Sequence, residues 1–222
     1  MGFLDRYRTP ADLPQHIPVF PLPGALLLPR ADLPLNIFEP RYVAMVQDAL
    51  SSHRLIGMIQ PDPDDAKNDV PELLKMGCIG RITSYAETPD DRLLITLTGI
   101  SRFEIVDELD AMTPYRQVIA NYHPFAIDLV SDLGASEVNR PALLKAFRDY
   151  LNANNMNADW EQVDAASTEV LVNTLSLLAP YPPEEKQALL EAPDLKTRAD
   201  VLVALTEVAL RRMTPGGKSS LQ

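Results

Sequence analysis

The sequence has one cysteine, Cys78, in 222 residues. No intrachain disulfide can form, and a reducing compartment is expected. The absence of any Asn-X-Ser/Thr acceptor agrees with that. A long apolar run is missing too. The stretch IPVFPLPGALLLPRADLPLNIFEPRY, residues 17–42, is apolar but is broken by Pro18, Pro21, Pro23, Pro29 and Pro34, and by Arg30 and Asp32. A spanning helix needs about 20 apolar residues in a row. The opening MGFLDRYRTPADLPQ lacks the apolar stretch of a secretion signal. Arg6 stands where a myristoylation signal beginning Met1-Gly2 needs Ser or Thr. A soluble, cytoplasmic protein without a membrane partner is expected.

Positive charge is also scarce. The formal net charge is −11. Residues 1–127 carry 11 Lys/Arg against 17 Asp/Glu, giving −6, and residues 128–222 carry 9 against 14, giving −5. Nucleic-acid affinity rests on clustered Lys/Arg that neutralise phosphates, so no nucleic-acid partner is expected. A hydrophobic fraction of 46% nevertheless permits a substantial core. No internal repeat is visible.

The first half reads as β-rich. Prolines belong at strand starts, edges and turns, so 17–42 should be short extended pieces near 17–20, 25–28 and 33–38, with PLPG as the first turn. Pro40 suits a first helical turn, and Tyr42, Val46 and Ala49 then share one helix face. Strands are expected in RLIGMIQP, MGCIGRITSYAE, RLLITLTGISRFEIVDEL and PYRQVIANYHPF. The alternation of Leu93, Ile95 and Leu97 with Leu94, Thr96 and Thr98 has period 2. Pro89 in TPDD suits the turn of a hairpin over 79–98.

Near residue 128 the period changes to that of helices. Leu143, Leu144, Phe147 and Leu151 form one stripe. DWEQ, Asp159–Gln162, reads as a capping box. A helix is expected across 167–178. PYPPEEKQALLEA loads a first turn with Pro and Glu. Asp194 is the expected N-cap of a last helix striped by Leu195, Ala199, Leu202, Ala209 and Met213. The organisation is therefore an arm (1–14), a β-rich lobe (15–126), a linker (127–136), a helical lobe (137–213) and a frayed tail (214–222).

Motifs for chemistry fail on inspection. GGKS at 216–219 resembles a phosphate loop, but Arg212 replaces the first glycine and the strand–loop–helix context is missing. DPDDAKNDVPEL begins like a calcium loop with Asp62 and Asp64. Lys67 and Leu73 then replace the turn glycine and the bidentate glutamate. Cys78 could pair with His16, His53 or His123 as nucleophile and base, yet it lies in a strand, where a lone cysteine is usually a small core residue. No catalytic residue, metal or cofactor is assigned.

The most distinctive polar group is FEPRY: Phe38, Glu39, Pro40, Arg41 and Tyr42. Glu39 at a helix start is favoured by the helix dipole, and Arg41 can pair with it or with another carboxylate. One reading is a structural junction in which Glu39 or Arg41 holds a partly buried ion pair or backbone hydrogen bonds. The other is that Arg41 and Tyr42 face a groove between the lobes. Phe38, Glu39, Arg41 and Tyr42, with Arg81 and Arg102 as further partners, are the candidate binding residues.

FPLPGALLLPRADLPLNIFEPRY, GCIGRI and LTGISRFEI, followed by PPEEKQALLEAPDLKTRADVLVALTEVAL, resemble in that order the substrate-binding domain at the N-terminus of Lon proteases. The likeness covers roughly 15–213 and is greatest to stand-alone proteins built from that domain. It implies an α+β fold, a PUA-like pseudo-barrel followed by a helical bundle, that recognises unfolded polypeptides or a protein partner. No Walker motif or peptidase segment accompanies it, so a non-enzymatic binding module, such as an adaptor in protein quality control, is expected. The alternatives are a hydrolase whose nucleophile the fold assembles, and a PUA-like RNA binder.

Overall fold

In a computed structural model of the chain, residues 2–65, 68, 70–90 and 92–213 are described. The tail over 214–222, with Lys218, and the Lys67 position of the calcium-like loop lie outside them.

The first half builds a closed barrel. Its strands are β1 (His16–Pro21), β2 (Asp32–Ile37), β3 (Leu55–Pro61), β4 (Leu73–Glu87), β5 (Leu93–Leu109) and β6 (Gln117–Asn121). The sheet runs β2-β5-β4-β3-β1-β6, and β6 pairs again with β5. Five strands therefore close on themselves while β2 extends the sheet from the early half of β5. Closure is possible because β5 is long. Its residues 93–98 pair with β2, and Glu104–Leu109 pair with β6. Among the described strands only β1 and β3 pair in parallel, and the helix α1 (Pro40–Ser51) lies in the chain between them.

Side-chain alternation sorts two cores. Ile17, Val19, Leu55, Ile79, Ile100 and Phe103 fill the barrel interior. A second core joins the barrel's outer face to the helices, where Leu27, Met45, Leu97, Val172 and Leu189 are all buried. The period-2 reading of β5 holds at its start: Leu93, Ile95 and Leu97 are buried, whereas Leu94 is exposed. On α1, Tyr42, Met45, Val46 and Ala49 are buried, the i, i+3, i+4, i+7 spacing of one helix face.

The helices are α2 (Arg140–Ala153), α3 (Trp160–Ala165), α4 (Thr168–Leu178), α5 (Pro183–Glu191) and α6 (Leu195–Met213). Asp159 caps α3, accepting from the Glu161 and Gln162 backbone N–H groups at 3.1 and 3.2 Å. Asp194 accepts from the Thr197 N–H at 2.7 Å, which stops the first turn of α6 from fraying.

Two expectations need correction. Residues 25–28 are not a strand. PLPG does turn, with Gly24 at φ 71° and the Ala25 N–H donating to the Leu22 carbonyl at 3.2 Å. The chain then runs as an irregular buried segment with Leu26, Leu27 and Leu28 inside. Just after it the chain is tied to β5 without forming a strand: Gly99 N–H donates to Ala31 O, and Arg30 N–H to Gly99 O, each at 2.9 Å. The last strand is also shorter than PYRQVIANYHPF, because the chain leaves β6 at Asn121 and enters 3-10 turns over His123–Leu129.

Candidate functional site

The FEPRY residues land at the start of α1 and split into different environments. Glu39 precedes the helix without a side-chain cap. Arg41 donates from Nε to its Oε2 at 3.0 Å, but both side chains are about half exposed, at 53% and 44%. The ion pair is therefore a surface one, not the partly buried pair expected, because two residues' spacing at a helix start leaves both on the rim. Arg81 and Arg102 do not join it. Arg81 donates to Tyr7 Oη and to the His53 carbonyl, and Arg102 lies deep in the seam between barrel and helices. Phe38 is exposed, with the Arg92 guanidinium 5.8 Å from its ring centre. Arg41→Ala should shift the unfolding free energy by no more than about 0–1 kcal/mol. A urea midpoint clearly below the parent's would contradict this.

Tyr42 is buried against Phe20, ring centres 4.2 Å apart, with Arg41 stacked over it at 4.5 Å. Burial raises its hydroxyl pKa above the ordinary value, partly countered by Arg41. Arg41 and Tyr42 do line a groove, of about 330 Å³, walled by Pro21, Pro23, Pro61, Pro71 and Pro114. It does not lie between the barrel and helices α2–α6, since every lining residue falls within residues 21–116. Three of its polar side chains are already engaged, Arg41 with Glu39 among them. Arg116 holds Glu108 at 2.5 Å, and the Tyr115 hydroxyl donates to Asp48 at 2.7 Å. Burial and that bond push the Tyr115 hydroxyl up to about 12.

The seam is stapled by charge. Arg102, on β5, is 2% exposed and meets Asp128 through Nε and Nη2, both at 2.9 Å. Its backbone N–H donates to the same carboxylate at 2.9 Å. The remaining N–H groups reach the carbonyls of Leu190 at 3.2 Å, Ala192 at 2.5 Å and Pro193 at 3.3 Å. Arg30, at φ 63°, pairs with Glu169 of α4 and donates to the Asp128 carbonyl at 2.6 Å. Arg102 was a sequence candidate; its partner Asp128, and the Arg30–Glu169 pair, were not. They are separated by 26 and 139 residues, and no local pattern marks such pairings.

The apolar opening of the molecule lies among the helices. A groove of about 330 Å³ runs between α2, α4 and α6, with Phe147, Leu151, Met156, Leu175, Leu178 and Leu202 among its walls. Leu178, at the end of α4, is 74% exposed and Met156 is 45% exposed. Of the hydroxyl residues in its lining, Tyr150, Tyr181 and Thr206, the last two satisfy each other: they lie 2.7 Å apart, and Thr206 donates to the Leu202 carbonyl at 2.7 Å. The wall is mainly apolar, with Tyr150 and Asn157 as its remaining polar side chains. Sequence reasoning missed this groove, although the nearly all-apolar run VLVNTLSLL of α4 signals contacts on more than one face.

Cys78 is not placed as a nucleophile. Cys78 is buried, its thiol directed to the Ile79 carbonyl at 3.7 Å, and burial pushes its pKa far up. A reactive thiol needs the opposite environment. Among the described residues no group of three or more His, Cys, Asp or Glu could hold a metal ion.

The profile of the ATP-dependent protease La (LON) substrate-binding domain matches residues 16–207. The chain belongs to this family. Its LON relatives include Lon protease 2 of Myxococcus xanthus, 28% identical over 209 residues, covering 87% of this chain and 24% of the relative. The Lon protease of Roseiflexus castenholzii is 24% identical over 216 residues, covering 96% of this chain and 26% of the relative. The chain thus spans about a quarter of the length of the relatives it matches, and the match covers their substrate-binding domain, not their ATPase or protease domains. Among solved structures, the N-terminal domain of Mycobacterium avium complex Lon protease has the same fold, with TM-score 0.64, 17% identity, and coverage of 86% of this chain and 98% of that one. So does the Lon N-terminal domain protein from Xanthomonas campestris, with TM-score 0.60, 21% identity, and coverage of 85% and 97%. The LON fold expected from the sequence, a β-barrel followed by helices, is the fold observed. Among the described residues no helix is long and apolar enough to cross a membrane.

Proposed function

We propose that this chain is a non-enzymatic polypeptide-binding module of the cytoplasm, an adaptor in protein quality control, that holds apolar stretches of unfolded chains in the groove between α2, α4 and α6. The observation carrying this reading is the open apolar groove edged by Leu178 and Met156. Leaving a side chain such as Leu178 in water is unfavourable by about 25 cal/mol per Å² of apolar surface, and a contiguous exposed apolar surface is the usual mark of a partner site. Membership of a family described by its substrate-binding role agrees with it. The net charge of −11 favours neutral or basic segments over acidic ones. The proline-walled groove at Arg41 and Tyr42 is a weaker fit, because its two guanidiniums and the Tyr115 hydroxyl are already bonded within the chain.

Binding should be micromolar or weaker, since one groove must offset the ordering entropy of a flexible chain. The test is fluorescence anisotropy with labelled, N-acetylated and C-amidated peptides containing an apolar stretch. Leu178→Asp places a charge on the groove wall at an exposed position, so the fold is retained and the affinity falls by about tenfold or more. An affinity equal to the parent's rules this groove out. ATPase and protease assays on the same preparation should show no turnover. Turnover that vanished on replacing a single Ser, Cys or Lys would instead establish an enzyme.

A further inference from the structure

A smaller cavity, of about 240 Å³, opens at the seam between barrel and helices, away from the helical groove. Its wall holds Arg30, Arg102 and Arg198, and its mouth carries Ile127, Val130 and Leu133. Two of the three guanidiniums are answered by carboxylates: Arg102 by Asp128 and Arg30 by Glu169. Arg198 is not. Its Nε donates to the Leu189 carbonyl at 2.9 Å and its Nη1 to Asn173 Oδ1 at 3.2 Å, both neutral acceptors. Its Nη2 is the one buried side-chain nitrogen or oxygen among the described residues without a hydrogen-bond partner. Arg198 is 4% exposed. Burial, and secondarily Arg102, lower its pKa to about 10, partly countered through space by Asp128 and Glu169, and it stays protonated near neutral pH. A buried guanidinium nitrogen with no acceptor is unfavourable unless something else supplies one, and the nearby carboxylates of Asp128 and Glu169 are already bonded to Arg102 and Arg30.

The mouth narrows the class of ligand. Ile127, Val130 and Leu133 are exposed by 41%, 53% and 51%, an apolar collar lining the same cavity as the cations. Glu137 and Asp194 also line the cavity and are exposed. Asp194 is engaged with the Thr197 N–H, and Lys196 beside it pairs with Asp200 at 2.5 Å. These two carboxylates disfavour a dianion or an acidic body. A fitting ligand has one negative charge at its inner end and an apolar group immediately behind it.

We propose that this cavity captures the C-terminal carboxylate of a polypeptide whose last residue is apolar, with Arg198 as the counter-charge and Ile127, Val130 and Leu133 covering the terminal side chain. Planar carboxylates match guanidinium donors, and charge-assisted bonds of this kind are the strong ones; capture of a chain terminus is an established mode of peptide recognition. The proposal rests on the reading of this chain as a polypeptide-binding module, and adds to it a preference for chain ends.

The experiment compares two labelled peptides of one sequence ending in leucine, one a free acid and one a C-terminal amide, by anisotropy on the full chain. The free acid should bind about tenfold or more tightly than the amide. Val130→Asp, at an exposed collar position, should remove that difference; Arg198→Met should do the same, and the collar variant keeps the test valid if Arg198→Met unfolds. Equal affinities of acid and amide for the parent overturn the proposal, as does displacement of the free acid by inorganic phosphate at concentrations where acetate has no effect. If acid and amide are equal while amidated apolar peptides still bind in a manner sensitive to Leu178→Asp, only the chain-end inference fails. Loss of all peptide binding by the parent overturns the module reading beneath it.

Discussion

Arg102→Met should lower the unfolding free energy by about 3–5 kcal/mol, the range for breaking a buried pair from one side. The loss comes less from the missing attraction than from what stays behind. Asp128, 6% exposed, would keep its charge with only the Arg102 backbone N–H and no guanidinium. The carbonyls of Leu190, Ala192 and Pro193, at the end of α5 and the approach to α6, would lose donors at the same time. A buried acceptor left unpaired carries its desolvation penalty in full. Removing both charges, as in Arg102→Met with Asp128→Leu, should therefore recover part of the loss, since replacing a whole buried pair by apolar groups is often near neutral. Urea unfolding of parent, single and double variants measures this. A single variant within 1 kcal/mol of the parent, on the scale of an exposed pair, would show that the seam is not held by this charge cluster.

Gly99→Ala should be comparably severe, lowering stability by about 3 kcal/mol or more, because the clash is with backbone that has no other place to go. A Cβ on Gly99 would lie 2.7 Å from the Leu28 carbonyl carbon, and closer still to its oxygen. The same residue exchanges hydrogen bonds with Ala31 and Arg30, so shifting the 28–31 segment breaks the contacts that satisfy its buried backbone. Thermal or urea unfolding decides it; a variant as stable as the parent would mean that the segment can move away without loss.

This pair of positions also shows where the sequence was legible and where it stopped. The alternation in RLLITLT announced β5, and the Tyr42–Val46–Ala49 spacing announced α1, because each period reports directly on which side is buried. ALLL at 25–28 carries no period. A short apolar run fits a strand or a buried irregular segment equally, and what decides between them is the approach of Gly99, about 70 residues away. The candidate site divided in the same way. Glu39 and Arg41 are near in sequence and do pair, but nothing local tells that the pair is exposed. Arg102 drew notice, whereas Asp128 fell in a stretch expected to be linker. The helical groove was the least legible, since Phe147, Leu151, Leu175 and Leu202 look in sequence like core positions. Only the packing of α2, α4 and α6 leaves a gap that they line and that Leu178 and Met156 edge.

Amide hydrogen exchange of the full chain, with and without an unfolded, apolar-rich polypeptide, tests the central claim most directly. Bound polypeptide should slow exchange in α2, the later turns of α4 and the facing turns of α6, with Leu178→Asp abolishing the protection. Protection confined to the barrel, or none at polypeptide concentrations well above micromolar, would contradict the assignment of the helical groove as the polypeptide site.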